Sequence, residues 1–494
     1  MADIVPFNSD DELSRLLAGP FEQTELGNAR RLLAVFGNDL RFCASWGKWI
    51  VWDGVRWVND VDGEVERRAK QVIGLLHAQA AREDEKGRRG ELERWAKESE
   101  SLHHIRAAIR LAETEPGTPV RADDLDDDPM LIGVRNGIVD LKSGILLPPK
   151  RQHLITKQCP VIFDPEAKCP TWDQFIGQIT RGDVDLQSYL QRVAGYCLTG
   201  LTREQCFFVL WGSGANGKSV FLGTLQSLLG DYARSTPAMT LLGKQRADGA
   251  SPDLARLVGA RLVAASEPPD GCRFAAETVK AMTGQDRIVC RPLYRDFFEY
   301  QPRFKVLLAT NHKPEAADDD EAMWRRIRLI PFQAVIAPQD RDKRLLERLR
   351  DELPGVLNWA VRGAVEVWSH GLGSARKVVT ATESYRSEMD VFSEWFDQCA
   401  IEDPPAVTPT ADLRESCQAW FLQQSQPPLS AKKFTQRLEA RGFSLVRTGK
   451  ARCIKGLALR DTADSLGNDP DANGDRDACD ASTVPTPNSS PIDP

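Results

Sequence analysis

At 494 residues with 41% hydrophobic and 27% charged side chains, the chain has ordinary soluble globular proportions and is too long for one core, so roughly three or four domains are expected. No apolar run approaches the roughly 20 residues of a membrane helix, and the opening MADIVPFNSDDELSRLL lacks a basic-then-apolar signal pattern. Eleven cysteines are scattered without a C-x-x-C pair and away from the six histidines, which argues against a zinc site and for reduced thiols in a cytosolic protein. The net charge of −7 is misleading as a whole, because eight aspartates and one arginine after residue 460 account for all of it. Between Lys432 and Arg460 lie nine Lys/Arg and one acid, Glu439, so the acidic balance does not exclude a nucleic-acid partner.

In chain order, Trp46 to Trp57 (WGKWIVWDGVRW) alternates bulky residues around Asp53-Gly54 and predicts a β-hairpin with a two-residue turn, base stacking by its aromatics being the alternative. Glu64 to Glu113 has helical spacing, with breaks expected at Gly87 and Gly90. The acids from Asp123 to Asp128 ending at Pro129 read as an exposed linker, metal binding being the alternative. Met130 to Pro149 has two turn signals, Asn136-Gly137 and Ser143-Gly144, and predicts a small β-meander. Thr171 to Leu198 reads as helices.

Phe207 to Asp231 (FFVLWGSGANGKSVFLGTLQSLLGD) organises the rest. A short apolar run suits a buried parallel strand. It leads through Gly212-Ser213-Gly214-Ala215-Asn216-Gly217 to Lys218-Ser219-Val220, where helical spacing begins. Strand, glycine loop and helix form the context in which G-x-x-x-x-G-K-[ST] cradles phosphate. Glycines let backbone N–H groups turn inward, and the helix N-terminus adds its dipole. Lys218 then serves the β- and γ-phosphates of ATP, and the Ser219 hydroxyl ligates Mg²⁺.

Three further apolar strands follow: Arg261 to Glu267, Phe304 to Asn311 and Ile327 to Phe332. Several such strands ending in polar side chains imply a parallel sheet with its ligand at their C-termini. Glu267 has the position of the second acid, which holds the Mg²⁺ water shell and polarises the attacking water; the metal role of Ser266 stays open. Asn311 can orient that water or contact the γ-phosphate without adding charge, a helix cap being the bland alternative. Arg325 or Arg326 can neutralise charge on the transferred phosphoryl group, or be surface charge only. Lys280 faces phosphate or caps a helix. The stretch with Arg287, Arg291, Tyr294 and Arg295, plus Phe297 and Phe298, has the composition of a hairpin gripping a strand's phosphates and stacking its bases, against an ordinary amphipathic hairpin.

The runs GSGANGKS, LVAASE, KAMTGQDRIVCRPLYRDFFEYQPRFKVLLATNHKP and WRRIRLIPF resemble superfamily 3 helicases, and among them the helicase portion of phage and plasmid primase–helicases, related to the poxvirus helicase–primase ATPase. WGKWIVWDGVRW and LIGVRNGIVDLKSG upstream are similar to the region preceding the motor, so the likeness spans roughly residues 40 to 335. One departure is Gln285, where the family commonly has a second glycine. The resemblance implies a P-loop, AAA+-like ATPase that uses ATP and Mg²⁺ in a homo-hexameric ring on single-stranded DNA, usually moving 3′ to 5′. It also implies a finger arginine serving the neighbouring subunit, and a primase or other replication proteins as partners in a host bacterial cytoplasm, associated with the nucleoid. A primase module often precedes the motor in that family; Asp60-Val61-Asp62 is the only candidate carboxylate pair here and reads as a turn, so helicase without primase activity is expected.

Ser384 to Phe421 reads as aromatic-rich helices interrupted by a loop from Glu402 to Pro409. A capped basic helix with Lys432, Lys433 and Arg437 precedes two strands carrying Arg447, Lys450 and Arg452, a winged-helix pattern for DNA. The expected organisation is an α/β chain: an α+β region over residues 1–125, a pre-motor domain over 126–190 and an ATPase with a parallel sheet over 191–375. A winged-helix-like domain over 380–460 and a disordered acidic tail over 461–494 complete it. The leading reading is a replicative helicase. The alternative is an initiator that binds origin duplex DNA and uses ATP for assembly; a small-molecule P-loop kinase is the third reading.

Overall fold

The computed structural model describes residues 21–242, 252–266, 268, 272–291, 296–316, 320–424, 428–449 and 451–460. The chain divides into two compact units, meeting in sequence at Met389 and Asp390.

The first unit opens with helix α1 (Glu25–Phe36), started by Thr24, whose hydroxyl accepts from Gly27 N at 3.0 Å. Strands β1 (Leu40–Cys43), β2 (Lys48–Trp52) and β3 (Trp57–Asn59) follow. The β2–β3 turn has four residues rather than the expected two, since Trp52 pairs with Trp57. Asp53 Oδ1 accounts for the difference: it accepts from Val55 N and Arg56 N, each at 2.8 Å, an Asx-type closure that needs the longer loop. Helices α2 (Glu64–Arg82), α3 (Lys86–Ser99) and α4 (Leu102–Ala112) come next. The first break falls at Glu83 to Glu85, and Gly87 and Gly90 lie inside α3. Packing of Leu92, Trp95 and Ala96 outweighs the roughly 1 kcal/mol each glycine costs a helix. Asp60 caps α2, accepting from Glu64 N at 2.7 Å and Val65 N at 3.0 Å. Strand β4 (Pro119–Val120) joins the sheet parallel to β1, giving the order β3-β2-β1-β4.

The meander forms as antiparallel β5 (Leu131–Val134), β6 (Gly137–Asp140) and β7 (Ile145–Leu147). The acidic run before it is only partly a solvated linker. Asp126, at φ +54°, accepts from Thr156 N at 2.8 Å and Lys157 N at 3.3 Å, so it fastens the segment that follows the meander.

Helices α5 (Pro170–Thr180) and α6 (Val184–Leu198) lead into β8 (Phe207–Trp211) and α7 (Lys218–Leu229). The sheet is completed by β9 (Ala233–Ser235), then, after α8 (Met239–Leu242) and α9 (Pro252–Ala255), by β10 (Leu262–Ser266). Helix α10 (Ala276–Thr283) precedes the antiparallel pair β11 (Ile288–Cys290) and β12 (Phe298–Tyr300). Then come β13 (Lys305–Thr310), α11 (Glu321–Trp324) and β14 (Ile327–Pro331). Five strands form one parallel sheet, ordered β14-β8-β13-β10-β9.

Its strands are apolar on both sides because both sides are covered. Phe208, Leu210, Leu262, Ala264, Leu307 and Ala309 join one core with α5, α6, α7 and the later helix α13 (Leu353–His370), which follows α12 (Leu345–Asp351). Their alternates Phe207, Val209, Val263, Ala265, Val306 and Leu308 join a second core with α10, α11 and α14 (Arg376–Glu388). The two-residue period of a strand thus places three layers about one sheet.

The second unit has α15 (Val391–Cys399), β15 (Ala400–Pro409), α16 (Thr410–Gln423), α17 (Ala431–Ala440), β16 (Ser444–Thr448) and β17 (Ala451–Leu459). Phe392, Trp395, Phe434, Leu438, Ile454 and Leu457 form its core. The expected loop from Glu402 to Pro409 is instead part of β15, at the edge of an antiparallel sheet ordered β15-β17-β16. Its prolines are tolerated because the register shifts between Glu402 and Val407 and the strand is at the edge. Among the described residues no helix is long and apolar enough to cross a membrane.

Candidate nucleotide site and nucleic-acid surfaces

The glycine loop lies at the C-terminal end of β8, next to β13 in the sheet. Its backbone is shaped by residues with positive φ: Gly214 at +104°, Ala215 at +48° and Gly217 at +87°. At Gly212 a Cβ would lie 2.1 Å from Asn216 Nδ2 and 2.3 Å from Phe332 O, and at Gly217 it would lie 2.5 Å from Ile179 Cγ2. Those two glycines let the loop fold tightly against β14 and α5. Gly214 has nothing within 4 Å of a virtual Cβ, so its requirement is conformational.

Lys218 begins α7 and is 6% exposed. Its ammonium donates to Gly212 O at 2.6 Å, Asn311 Oδ1 at 2.9 Å and Asn216 Oδ1 at 3.2 Å. All three acceptors are neutral, and burial lowers the pKa of the lysine from its ordinary value. Asn216 passes the contact on, donating to Phe332 O at 3.0 Å. Ile336 N donates to Ala215 O at 3.1 Å, which ties the loop to the chain leaving β14. The loop, Lys218 and Asn311 are therefore one cluster, whereas Ser219 is exposed with its hydroxyl at the start of α7. Val220 lies in the first turn of that helix. Ser213 is exposed in the loop. Glu267 follows β10 in sequence and lies outside the described residues.

The two arginines differ. Arg326 is buried; its Nε donates to Thr283 Oγ1 at 3.1 Å and its Nη1 to Ala322 O at 2.6 Å, fastening the β14 entrance to α10. Arg325 is exposed. Lys280 pairs with Asp320 at 2.9 Å and lies 3.7 Å from Glu277. Asp320 also caps α11, accepting from Met323 N at 3.0 Å, so Lys280 braces the turn leading to the arginines. Sequence reading missed Lys313, beside Asn311: its ammonium lies 4.4 Å from the Trp211 ring and pairs with Glu388 at 2.6 Å. A lysine two residues past a strand-terminal asparagine was the available signal.

The β11–β12 hairpin carries exposed Arg287 before its first strand and has Arg291 over the Phe297 ring at 4.8 Å. Phe297 and Val289 are more than half exposed; Tyr294 and Arg295 lie outside the described residues. In the second unit Ser430 caps α17. Lys432 and Lys433 are exposed, while Arg437 is engaged with Asp390 at 2.9 Å. Arg447 and Arg452 are opposite each other in the β16–β17 register, both exposed, and Lys450 lies outside the described residues.

Against known proteins, residues 29–181 match the D5 N terminal like family, and residues 210–326 match a family of unknown function, DUF5906. A helicase-named protein of Acanthamoeba polyphaga mimivirus is 28% identical over 323 residues, covering 60% of this chain and 33% of that protein. A helicase-named protein of Frog virus 3 is 24% identical over 396 residues, covering 62% and 40%. The primase D5 of Fowlpox virus is 28% identical over 159 residues, covering 31% and 20%. These matches relate the chain to the superfamily 3 helicase–primases of large DNA viruses. The chain spans about a third of the length of the first of these relatives. The solved apo C-terminal region of NrS-1 superposes with a TM-score of 0.47 at 10% identity, over 88% of this chain and 100% of that one.

Proposed function

We propose that this chain contains the motor of an ATP-dependent DNA helicase acting in replication of a phage, plasmid or related element. The observation that carries the reading is the Lys218 cluster: a buried ammonium held between Gly212 O and Asn311 Oδ1 at the C-terminal edge of a parallel sheet. A buried cation with neutral partners only, beside a loop with little side-chain bulk, fits an anionic phosphate chain. Lys218 would move from Asn311 to the phosphates on binding, leaving that amide to orient the attacking water. Ser219 and Glu267 would hold Mg²⁺, which would supply neutralisation of charge on the phosphates.

Arg325 is the better finger of the pair on this reading, because Arg326 is already committed to Thr283 and Ala322. An exposed guanidinium can reach a neighbouring subunit's γ-phosphate, which requires a ring, proposed as a hexamer. The β11–β12 hairpin would contact single-stranded DNA through Arg287 and Arg291, with aromatic stacking. The second unit would add a basic, winged-helix-like surface.

ATP hydrolysis with and without single-stranded DNA, for the wild type and Lys218→Ala, tests this. DNA-stimulated turnover, lost in the variant and weakened by added salt, is expected; turnover indifferent to DNA would sink the motor reading. The basic second unit also suits an initiator binding origin duplex. Strand displacement on a fork without any origin sequence separates the two, because only the helicase performs it.

A further inference from the structure

Away from the glycine loop, a cavity of about 280 Å³ opens where residues of the N-terminal sheet, the segment after the meander and the start of the parallel sheet come together. Its walls come from the β1–β2 turn, strand β3, the segment after the meander and the chain around β9. Strands β3 and β9 are both terminal in their sheets. Trp46, Arg56, Asn59, Lys157, Asp231 and Arg234 are the lining residues that bear on chemistry.

Each wall has a distinct character. Trp52 and Trp57 are buried core, but Trp46 is 39% exposed. The turn that displays it is closed by Trp46 N to Cys43 O at 3.1 Å and Gly47 N to Ala44 O at 3.0 Å. A large aromatic face is thus held out on a short, defined turn. Arg56 is held between two carboxylates: its Nη1 donates to Asp231, and its buried Nε lies 3.8 Å from Asp53 Oδ2. Lys157 is steadied by Asp126 at 3.6 Å. Arg234 donates to Ala233 O at 2.8 Å and has no carboxylate partner among the described residues. Three cations and one carboxylate, itself occupied by Arg56 and by Gln158 N at 3.2 Å, line a space with an aromatic plane at its rim.

We propose that this cavity binds one nucleotide, its base stacked on Trp46 and its phosphate held by Arg56, Lys157 and Arg234. The volume falls just below the usual range of ligand pockets, which limits the occupant to a single nucleotide residue with part of it at the open rim. Arg234, with no carboxylate partner among the described residues, gives a phosphate a charge-assisted donor, and Arg56 and Lys157 add positive charge beside it. An indole face accepts any base, and Asn59 is placed to meet a base edge. The bound nucleotide comes either free from solution or as one residue of a single strand, with the same recognition chemistry in both.

The test uses the full chain with Lys218→Ala throughout, so that nucleotide at the glycine loop does not contribute, and with no ATP present. Thymidine monophosphate is titrated by calorimetry, and a labelled oligothymidylate of about 20 nucleotides by fluorescence anisotropy, before and after adding Trp46→Ala or Arg234→Gln. Both side chains are substantially solvated or at the rim, and thermal melting verifies folding. At least one ligand is expected to bind, with affinity reduced about tenfold by Trp46→Ala. Arg234→Gln should weaken it too and flatten the salt dependence of oligomer binding by about 0.7 in log–log slope. Effects on thymidine monophosphate alone identify a free-nucleotide site; effects on the oligomer alone, or on both, identify a strand site. Both ligands binding equally to parent and folded variants, or neither binding the parent, overturns the proposal. DNA-stimulated hydrolysis of the unmodified chain is a separate measurement, so loss of this site and loss of the motor reading are distinguishable.

Discussion

The cations at the glycine loop and those at the tip of the second unit are opposite solutions to holding an anion. Lys218 is buried, with three neutral oxygens around its ammonium. Arg447 and Arg452 are exposed and set against each other across two strands. A buried charge is held in place, is little screened by salt, and costs free energy until its ligand arrives. Exposed, mutually repelling charges hold no geometry but respond to any polyanion, with strong salt dependence. On this contrast nucleotide affinity should vary little between 50 and about 300 mM salt while DNA affinity falls steeply.

The largest effect should come from breaking the first arrangement. Lys218→Ala is expected to reduce ATP turnover by at least about 100-fold, the order seen when one donor to a developing charge is removed. The folded state should survive, because the three acceptors left behind are near a loop that water can enter. Steady-state hydrolysis and thermal melting on the same preparation check both halves.

Arg325 and Arg326 put the contrast at adjacent positions. Arg326→Ala leaves the buried Thr283 hydroxyl and the half-buried Ala322 carbonyl without their donor and opens space between β14 and α10, so a stability loss of about 2–4 kcal/mol is expected in denaturant unfolding. Arg325→Ala should leave stability within about 0.5 kcal/mol and, if this arginine serves a neighbour, lower turnover in the assembled state only. Equal stability losses from the two would erase the distinction.

How far this was legible in the sequence follows the same division. The cations, the glycine loop and the parallel strands were legible, because strand burial and glycine spacing are local patterns. Their partners were not. Asn311 is 93 positions from Lys218, and Thr283 is 43 from Arg326, separations over which no periodicity carries information. Asp126 looked like one acid in an exposed run, yet it accepts from amides 30 and 31 residues on. The Glu402 to Pro409 stretch looked like a loop because prolines and acids dominate it, and only pairing with β17 makes it an edge strand. The cavity beside Trp46 was invisible for the same reason: its lining comes from segments up to 188 positions apart.

Lys305 supplies a control with burial but no ligand. It starts the strand that Asn311 follows, is 1% exposed, and donates to Thr199 O, with the carbonyls of Leu201 and Arg303 at 3.3 and 3.4 Å and the Tyr196 ring at 4.7 Å. Burial pushes its pKa down to about 7, against roughly 10.4 in an unfolded chain. Between those values the unfolded state binds more protons, so this residue makes stability rise with pH and removes that gain as pH falls toward 7. Unfolding between pH 7 and 8.5 should show a contribution of about 1 kcal/mol per unit that Lys305→Met abolishes. A variant with the parent's pH slope would mean that the carbonyls keep this ammonium charged in spite of its burial.

The smallest effect is at the exposed pair. Like charges directly opposite in an antiparallel ladder repel, so Arg447→Gln should raise the thermal midpoint of the second unit slightly. The same change should weaken DNA binding about two- to threefold and lower the magnitude of its salt slope by about 0.7 to 0.9, one phosphate contact. The opposite signs are the point of the experiment. A structural arginine would lose stability and leave the slope unchanged, whereas a cation kept for a polyanion gives up binding and gains stability. Arg437, paired with Asp390, is the built-in comparison: its removal should cost stability and leave the salt slope unchanged. Identical behaviour of the two arginines would remove the basis for treating the β16–β17 tip as a nucleic-acid surface.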